Sequence, residues 1–451
     1  MPAYSGKFQY RDESDRPLMQ GPCQFSFDAE KCILAPASGT APAFDLGDVD
    51  RAVPGELDLQ LTLYTGRTLQ LRQFGSLFTR MTGEFVSAWR DRTVRCLLLE
   101  DLEEIVRATG TAALGAGAPV RAEIRLYKTN LAVLPMDGVP YQWRLAEVDS
   151  AVFDDATYSL ILRSGAERLV IAKLARLTDE FTARVRAALD GLRTESAGAL
   201  HDLFPFLAPD QLQRVLTLMP EGRSVRLSAL AAVHPELPDA LLEHAVDAPL
   251  RPYFEALRAQ AVADSLMAGF KFIRQDQAAE AAAEEEPPPP ESSEAAAAPP
   301  VEDEPPAAEK EEEDQQPLFF WFFFPLAEKN GSGGYANVVA WEACTGSGRA
   351  TYFFRAVAPQ EARVLSDPAR AATVVDQAVA RITRGLALVN FRREPVYLSG
   401  ESLDQQPKYH RYAIGARKLP DLRALRSAML GRAIHSSLEK WQAQASAIAA
   451  R

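Results

Sequence analysis

The stretch FDLGDVDRAV (44–53) returns about a hundred residues later as WRLAEVDSAV (143–152). Leu46, Val49, Asp50, Ala52 and Val53 recur as Leu145, Val148, Asp149, Ala151 and Val152, and Asp48 recurs as Glu147. The likeness continues past the phrase. LDLQLTLYTGRTLQLRQF (57–74) alternates apolar and polar residues about Thr65 and Gly66, and YSLILRSGAERLVIAKL (158–174) does so about Ser164 and Gly165. Period-2 alternation around a Gly-containing turn marks a hairpin with one buried face. Both copies then change period. Phe78, Met81, Phe85 and Trp89, and Phe181, Val185 and Leu189, recur at three- to four-residue intervals, the apolar stripe of a helix. The duplication predicts two consecutive units, 5–105 and 115–195, each a bent antiparallel sheet closed by a C-terminal helix, with Trp89 and Val185 buried. The acids of the phrase, Asp48, Asp50, Glu147 and Asp149, read either as solvated strand and turn positions or as a surface for a partner.

A strongly bent sheet leaves one corner open, and an apolar helix face plugs it. In element order the units resemble the pleckstrin-homology-like superfold, on the DLGDVDRAV and RLAEVDSAV strands, the two hairpins, and the helices that follow Gly75 and Thr178. The resemblance implies binding modules that take phosphoinositides, phosphopeptides or proteins. Lipid-binding members use basic residues in the first strand–loop–strand. Here Lys7, Arg11 and Arg16 are diluted by Asp12, Glu13 and Asp15, and the second copy offers Arg121, Arg125 and Lys128 at strand spacing, so a membrane lipid is not the expected partner. A tandem pair beside an acidic segment is also similar in layout to the FACT-type histone chaperones.

The formal charge of −12 over 451 residues is unevenly placed. Residues 276–316 hold fifteen Asp and Glu against one Lys, a net of −14 that leaves +2 elsewhere. This Pro/Glu/Ala tract has too little apolar surface to offset about 1–2 kcal/mol of backbone entropy per residue, so a disordered acidic linker is expected. The four cysteines form no C-x-x-C pair and the five histidines show no metal-ligand spacing, so neither a metal nor another cofactor is expected. If DAEK (28–31) is a hairpin turn, Phe27 faces Cys32 and Cys23 faces Pro36, which keeps those thiols apart. Reduced thiols, with no leader-like or membrane-spanning apolar run, predict a cytoplasmic protein.

Residues 200–274 read as a small helical bundle ending in a long helix over RPYFEALRAQAVADSLMAGFKFI (251–273). The last domain, 317–451, opens with LFFWFFF (318–324), too short to span a bilayer and suited to a strand buried on both faces. The glycines at 331–334 have the look of a kinase phosphate hairpin, but the Lys, the H-R-D loop and the D-F-G that should follow are missing, so they read as turns. After a helix that starts at Pro368 come EPVYLS (394–399), read as a short strand, and a basic run. In that run Lys408, Arg411, Arg417, Lys418, Arg423, Arg426 and Arg432 alternate with Tyr409, Tyr412 and apolar residues. They are either a solvated face or a surface for an anionic protein or nucleic acid. His435 is placed on a helix face with Glu439. The expected fold class is α+β multidomain: two pleckstrin-homology-like sheets, a helical bundle, an acidic linker and a basic α+β domain. The expected function is a non-enzymatic adaptor that binds protein partners. The alternatives are a nucleic-acid- or chromatin-associated protein whose linker masks a basic face, and an enzyme with its site in 317–451.

Overall fold

The computed structural model describes residues 3–38, 42–99, 102–273, 318–328, 334–344 and 350–450. The acidic linker and the turn at 331–333 lie outside them. Strands β1 (Ala3–Arg11), β2 (Pro17–Phe27), β3 (Lys31–Pro36), β4 (Ala43–Asp45), β5 (Val49–Pro54), β6 (Asp58–Leu63) and β7 (Thr68–Arg72) precede helix α1 (Phe78–Cys96). Strands β8 (Glu104–Leu114), β9 (Val120–Tyr127), β10 (Asn130–Pro135), β11 (Tyr141–Arg144), β12 (Ser150–Asp154), β13 (Ser159–Ser164) and β14 (Glu167–Ala172) precede α2 (Thr178–Leu203). The sheet orders are β4-β3-β2-β1-β7-β6-β5 and β11-β10-β9-β8-β14-β13-β12. Adding seven to each strand of the first order gives the second, so the repeated phrase reports a repeated topology. These antiparallel sheets are compatible with a pleckstrin-homology-like fold.

In each copy the phrase makes a short 3-10 turn, Leu46–Asp48 or Leu145–Glu147, that leads into the edge strand β5 or β12. Its recurring Leu and first Val are core: Leu46, Val49, Leu145 and Val148 are buried, as are Trp89 and Val185 in the closing helices. Cys23 pairs with Pro36 and Phe27 with Cys32 across β2 and β3, and all four thiols are free and buried. Strand β8 starts at Glu104, so the second sheet takes in residues ahead of 115.

A third sheet has the order β15-β16-β17-β18-β19-β20, from β15 (Ser224–Arg226), β16 (Met267–Phe272), β17 (Leu318–Ala327), β18 (Tyr335–Ala343), β19 (Ala350–Phe354) and β20 (Met429–Ile434). Strand β17 is the LFFWFFF run, and both of its faces are covered. Phe320, Phe322 and Phe324 pack among α3 (Pro209–Leu218), α4 (Leu227–Ala231), α5 (Leu237–Ala245) and α6 (Arg251–Arg258), with Trp441 of the terminal helix Leu438–Ala449. Trp321 and Phe323 pack on the opposite side against α7 (Pro368–Leu388), α8 (Glu394–Tyr397), α9 (Gly400–Gln405), α10 (His410–Lys418) and α11 (Pro420–Ala428). Helices on both faces explain why an antiparallel strand here carries no polar alternation.

Two expectations are corrected by this sheet. The helix read over 251–273 ends at Arg258, and Met267–Phe272 is a strand. There Ala268, Phe270 and Phe272 face one layer while Met267 faces the other, and at Gly269 a Cβ would come within 2.5 Å of the Trp321 ring. The period-2 burial of a sheet interior overrides the helix propensity of the preceding alanines. Likewise EPVYLS is helical over Glu394–Tyr397, started by Pro395 in the first turn. Because β16 pairs with β17 from Met267↔Phe323 to Phe272↔Leu318, the helical segment 200–274 and the residues after the linker share one sheet. They also share a core with the first two units. Val94 of α1, Leu97 and Leu99 just after it, and Tyr127, Ala132 and Leu134 of β9 and β10, lie in the cluster that contains Trp321, Phe323, Ile382 and Leu386. Among the described residues no helix is long and apolar enough to cross a membrane.

Candidate functional site

The basic set read from the sequence does not form one face. Lys418 is buried to 5% side-chain exposure, and its ammonium donates to the Val49 carbonyl at 2.7 Å and sits 3.5 Å from Asp50. Arg417 donates to Asp404 at 2.8 Å, lies 3.7 Å from Asp48 and stacks over the Tyr64 ring. Arg426 reaches the carbonyls of Pro395 and Leu398 and so holds the end of α8. Arg432 is on strand β20, 3.9 Å over the Tyr397 ring. Lys408 and Arg423 are exposed, and Lys408 lies over Tyr409. Arg411 stacks on Tyr412 and lines a cavity described below.

The first copy of the repeated phrase is where Arg417 and Lys418 converge. In the first copy Asp45 takes a bidentate pair from Arg92, at 2.9 and 2.7 Å, accepts from the Gly47 amide at 2.6 Å and lies 3.6 Å from His410. Burial pushes the Asp45 carboxyl up, but the Arg92 fork, the Gly47 amide and His410 together leave it below its usual value. For Asp48 burial prevails over Arg417 and the carboxyl is raised. Gly47 permits the close approach of α10, since a Cβ there would meet Cys96 Sγ at 2.7 Å and Ile414 Cγ2 at 2.9 Å. In the second copy Arg144 pairs with Glu147 at 3.3 Å and approaches the Gly222 carbonyl at 3.5 Å. Gly222 has φ of +77°, and any side chain there would run into the Arg144 guanidinium. Thus Asp48 and Asp50 of the first copy meet a partner in the same chain, whereas in the second copy Asp149 is exposed and Glu147 pairs with Arg144 of its own phrase. The first copy seats α10 and the second seats the turn before β15.

Beside Arg144 a partly open cavity of about 100 Å³ lies among residues of all three units. Arg144 of β11, Lys271 of β16, Arg392 after α7 and Arg411 of α10 all line it. Lys271 is buried in a strand of otherwise apolar side chains, and its ammonium reaches the side chain and carbonyl of Asn390 and sits 5.6 Å from both the Phe319 and Phe391 rings. Arg392 and Arg411 both donate to the hydroxyl of Tyr412, the latter at 3.1 Å. Burial raises the Tyr412 phenol, which stays neutral beside them. The wall at Asn390 and Phe391 has consecutive φ values of +52° and +60°, a left-handed backbone that costs a non-glycine residue about 1–2 kcal/mol. Of this cluster the sequence reading found Arg411 alone. Lys271 falls in the segment that reads as a helix, and its one signal is a charged residue inside the apolar run MAGFKF.

Two further polar clusters are structural. Arg125 of the second unit is committed to Asp91 at 2.9 Å and Glu123 at 2.7 Å, and with Arg90 on Glu123 it ties α1 to β9. His435 precedes the terminal helix rather than sharing a face with Glu439. It lies 3.3 Å from the fully buried Glu342, whose other contact is the Thr351 hydroxyl. No group of three or more metal-ligating side chains occurs among the described residues. Neither a scan against protein-family models nor a search of curated proteins found a match for this chain.

Proposed function

We propose that the protein is a non-enzymatic adaptor in which two tandem pleckstrin-homology-like units are set rigidly on the third, and the second unit presents a groove for an extended segment of a protein partner. The observation that carries this is the different fate of two equivalent edge strands. Strand β5 of the first unit is engaged within the chain: Lys418 takes the Val49 carbonyl and Arg51 pairs with Asp137 of the second unit. Its counterpart β12 ends its sheet with Val152 54% exposed. Between β12 and α2, Ala151, Phe153, Leu177 and Ala188 are apolar and only partly covered, and Tyr158, 57% exposed, packs edge-on against Phe153 at 5.3 Å. An edge strand beside an apolar groove accepts an added strand through its backbone and selects alternate side chains through the groove. Spending Arg417, Lys418 and Arg426 on internal partners favours a protein over a nucleic acid as the ligand.

A displayed peptide library selected on the intact chain tests the reading. Val152→Asp should weaken the selected peptides by tenfold or more, about 1.4 kcal/mol, because it sets a charge beside the added strand. Its thermal stability should stay within about 0.5 kcal/mol of the native chain, as for other exposed positions. Selected peptides that bind the variant as tightly as the native chain would place the binding surface elsewhere.

A further inference from the structure

We infer that the cleft where the first two units meet binds a small, elongated and uncharged molecule that has a carbonyl group at one end and an apolar body. This does not depend on the adaptor reading. The cleft holds about 300 Å³, at the lower end of the range for small-molecule sites. Pro54 of β5 and one side of α1 form one wall, and Arg107 of β8, Glu123 and Arg125 of β9 and Met136 after β10 form the other. Its charged groups answer one another. Arg107 forks onto Glu104 with both bonds at 2.9 Å, Arg125 reaches Asp91 at 2.9 Å and Glu123 at 2.7 Å, and Arg90 reaches Glu123 at 3.0 Å. Three guanidinium groups thus meet three carboxylates, and a carboxylate ligand would be set against Glu123 on the same wall.

What the ion pairs leave over is hydrogen-bonding capacity. Arg90 Nε is buried and finds no partner among the described residues, and the same holds for the hydroxyl of Thr82, a residue 8% exposed. Covering such groups without a partner is costly, and a ligand in the cleft can supply one. Thr82, Val86 and Arg90 all line the cleft and follow one another at four-residue intervals, so they share a stripe of α1 about 12 Å long. The stripe is polar, apolar, polar, and Pro54 and Met136 add apolar surface to the cleft. A carbonyl oxygen that accepts from Arg90 Nε–H, an aliphatic body over Val86 and a hydroxyl at Thr82 match it in that order. Gly83 keeps the space open, since a Cβ there would meet nothing within 4 Å.

Titration of the full chain with 6-hydroxyhexanamide, hexanamide and 6-hydroxyhexanoate, followed by NMR of isotope-labelled methionine methyl groups, reads the site directly through Met136. The expected result is a saturable shift of the Met136 methyl, identified by its loss in Met136→Leu, with Met219, Met267 and Met429 of the third unit unmoved and the hydroxyamide bound most tightly. Thr82→Val removes a hydroxyl that has no partner in the free chain, so its melting temperature should not fall. The same variant should bind the hydroxyamide at least ~3-fold more weakly and hexanamide unchanged. Gly83→Leu fills the cleft from an open helical position and should abolish the shift at an unchanged or higher melting temperature. Absence of a Met136 shift with all three compounds, or binding that Gly83→Leu leaves intact, overturns the site. Hydroxyhexanoate bound as tightly as the hydroxyamide overturns the uncharged ligand.

Discussion

Replacing Trp89 with Ala is expected to lower the stability of the protein by about 3–5 kcal/mol, read as a fall in the urea midpoint. Trp89 is 1% exposed on the inner face of α1, among Phe25, Phe85 and Leu61. Its loss removes the largest side chain that closes the sheet, and it frees the Val49 carbonyl from the indole N–H that donates to it at 2.9 Å. Lys418 donates to that same oxygen from α10, so the damage should extend to the seat of the third unit. A cost below about 1 kcal/mol would mean that the indole does not fill the corner of the sheet, and the closing role of α1 would be lost with it.

Arg92→Ala should have an effect of similar size, about 3–5 kcal/mol at neutral pH, because it leaves Asp45 in place with 10% side-chain exposure and no fork to answer its charge. The pH dependence carries the distinguishing sign. In the native chain Asp45 has a depressed pKa, so its contribution is present above the unfolded value of about 3.8 and is lost as pH falls through the lower folded value. Without Arg92, burial would dominate and raise the carboxyl, so the variant would lose stability as pH rises from about 3.8. The gap between native and variant should therefore narrow on going from pH 7 to pH 3, as measured by urea unfolding. A gap that is constant with pH would show that Arg92 acts through packing alone.

How much of this was legible in the sequence differs by element. The duplicated hairpins and closing helices could be read because each has one buried face, so period 2 and period 3.6 both survive in the residues. Cys23, Cys32 and Pro36 fell in register for the same reason: a two-strand pairing is fixed by its turn. Strand β17 was legible as an apolar run buried on both faces, but β16 was hidden because it too leaves no polar alternation to find and because its pairing of Phe272 with Leu318 crosses the acidic linker. The basic set was half legible. Composition located the cations but could not say that Lys418 would be buried on Val49 or that Arg432 would lie on a strand. The acids of the repeated phrase were weighed as solvated positions. For Asp48 and Asp50 what decided otherwise was Gly47, whose missing side chain lets α10 come within reach, while Asp149 is exposed.

The central claim is that the residues before and after the linker make one folded body, held by the β16–β17 ladder and by the repeated phrase on α10 and Gly222. Cutting the chain within 276–316, at a protease site inserted there, tests this most directly. The two fragments should co-elute from a sizing column at the size of the uncut chain and unfold together in urea, with no transition at low denaturant. Fragments that separate in native buffer, with the first two sheets still folded in the N-terminal piece, would contradict it.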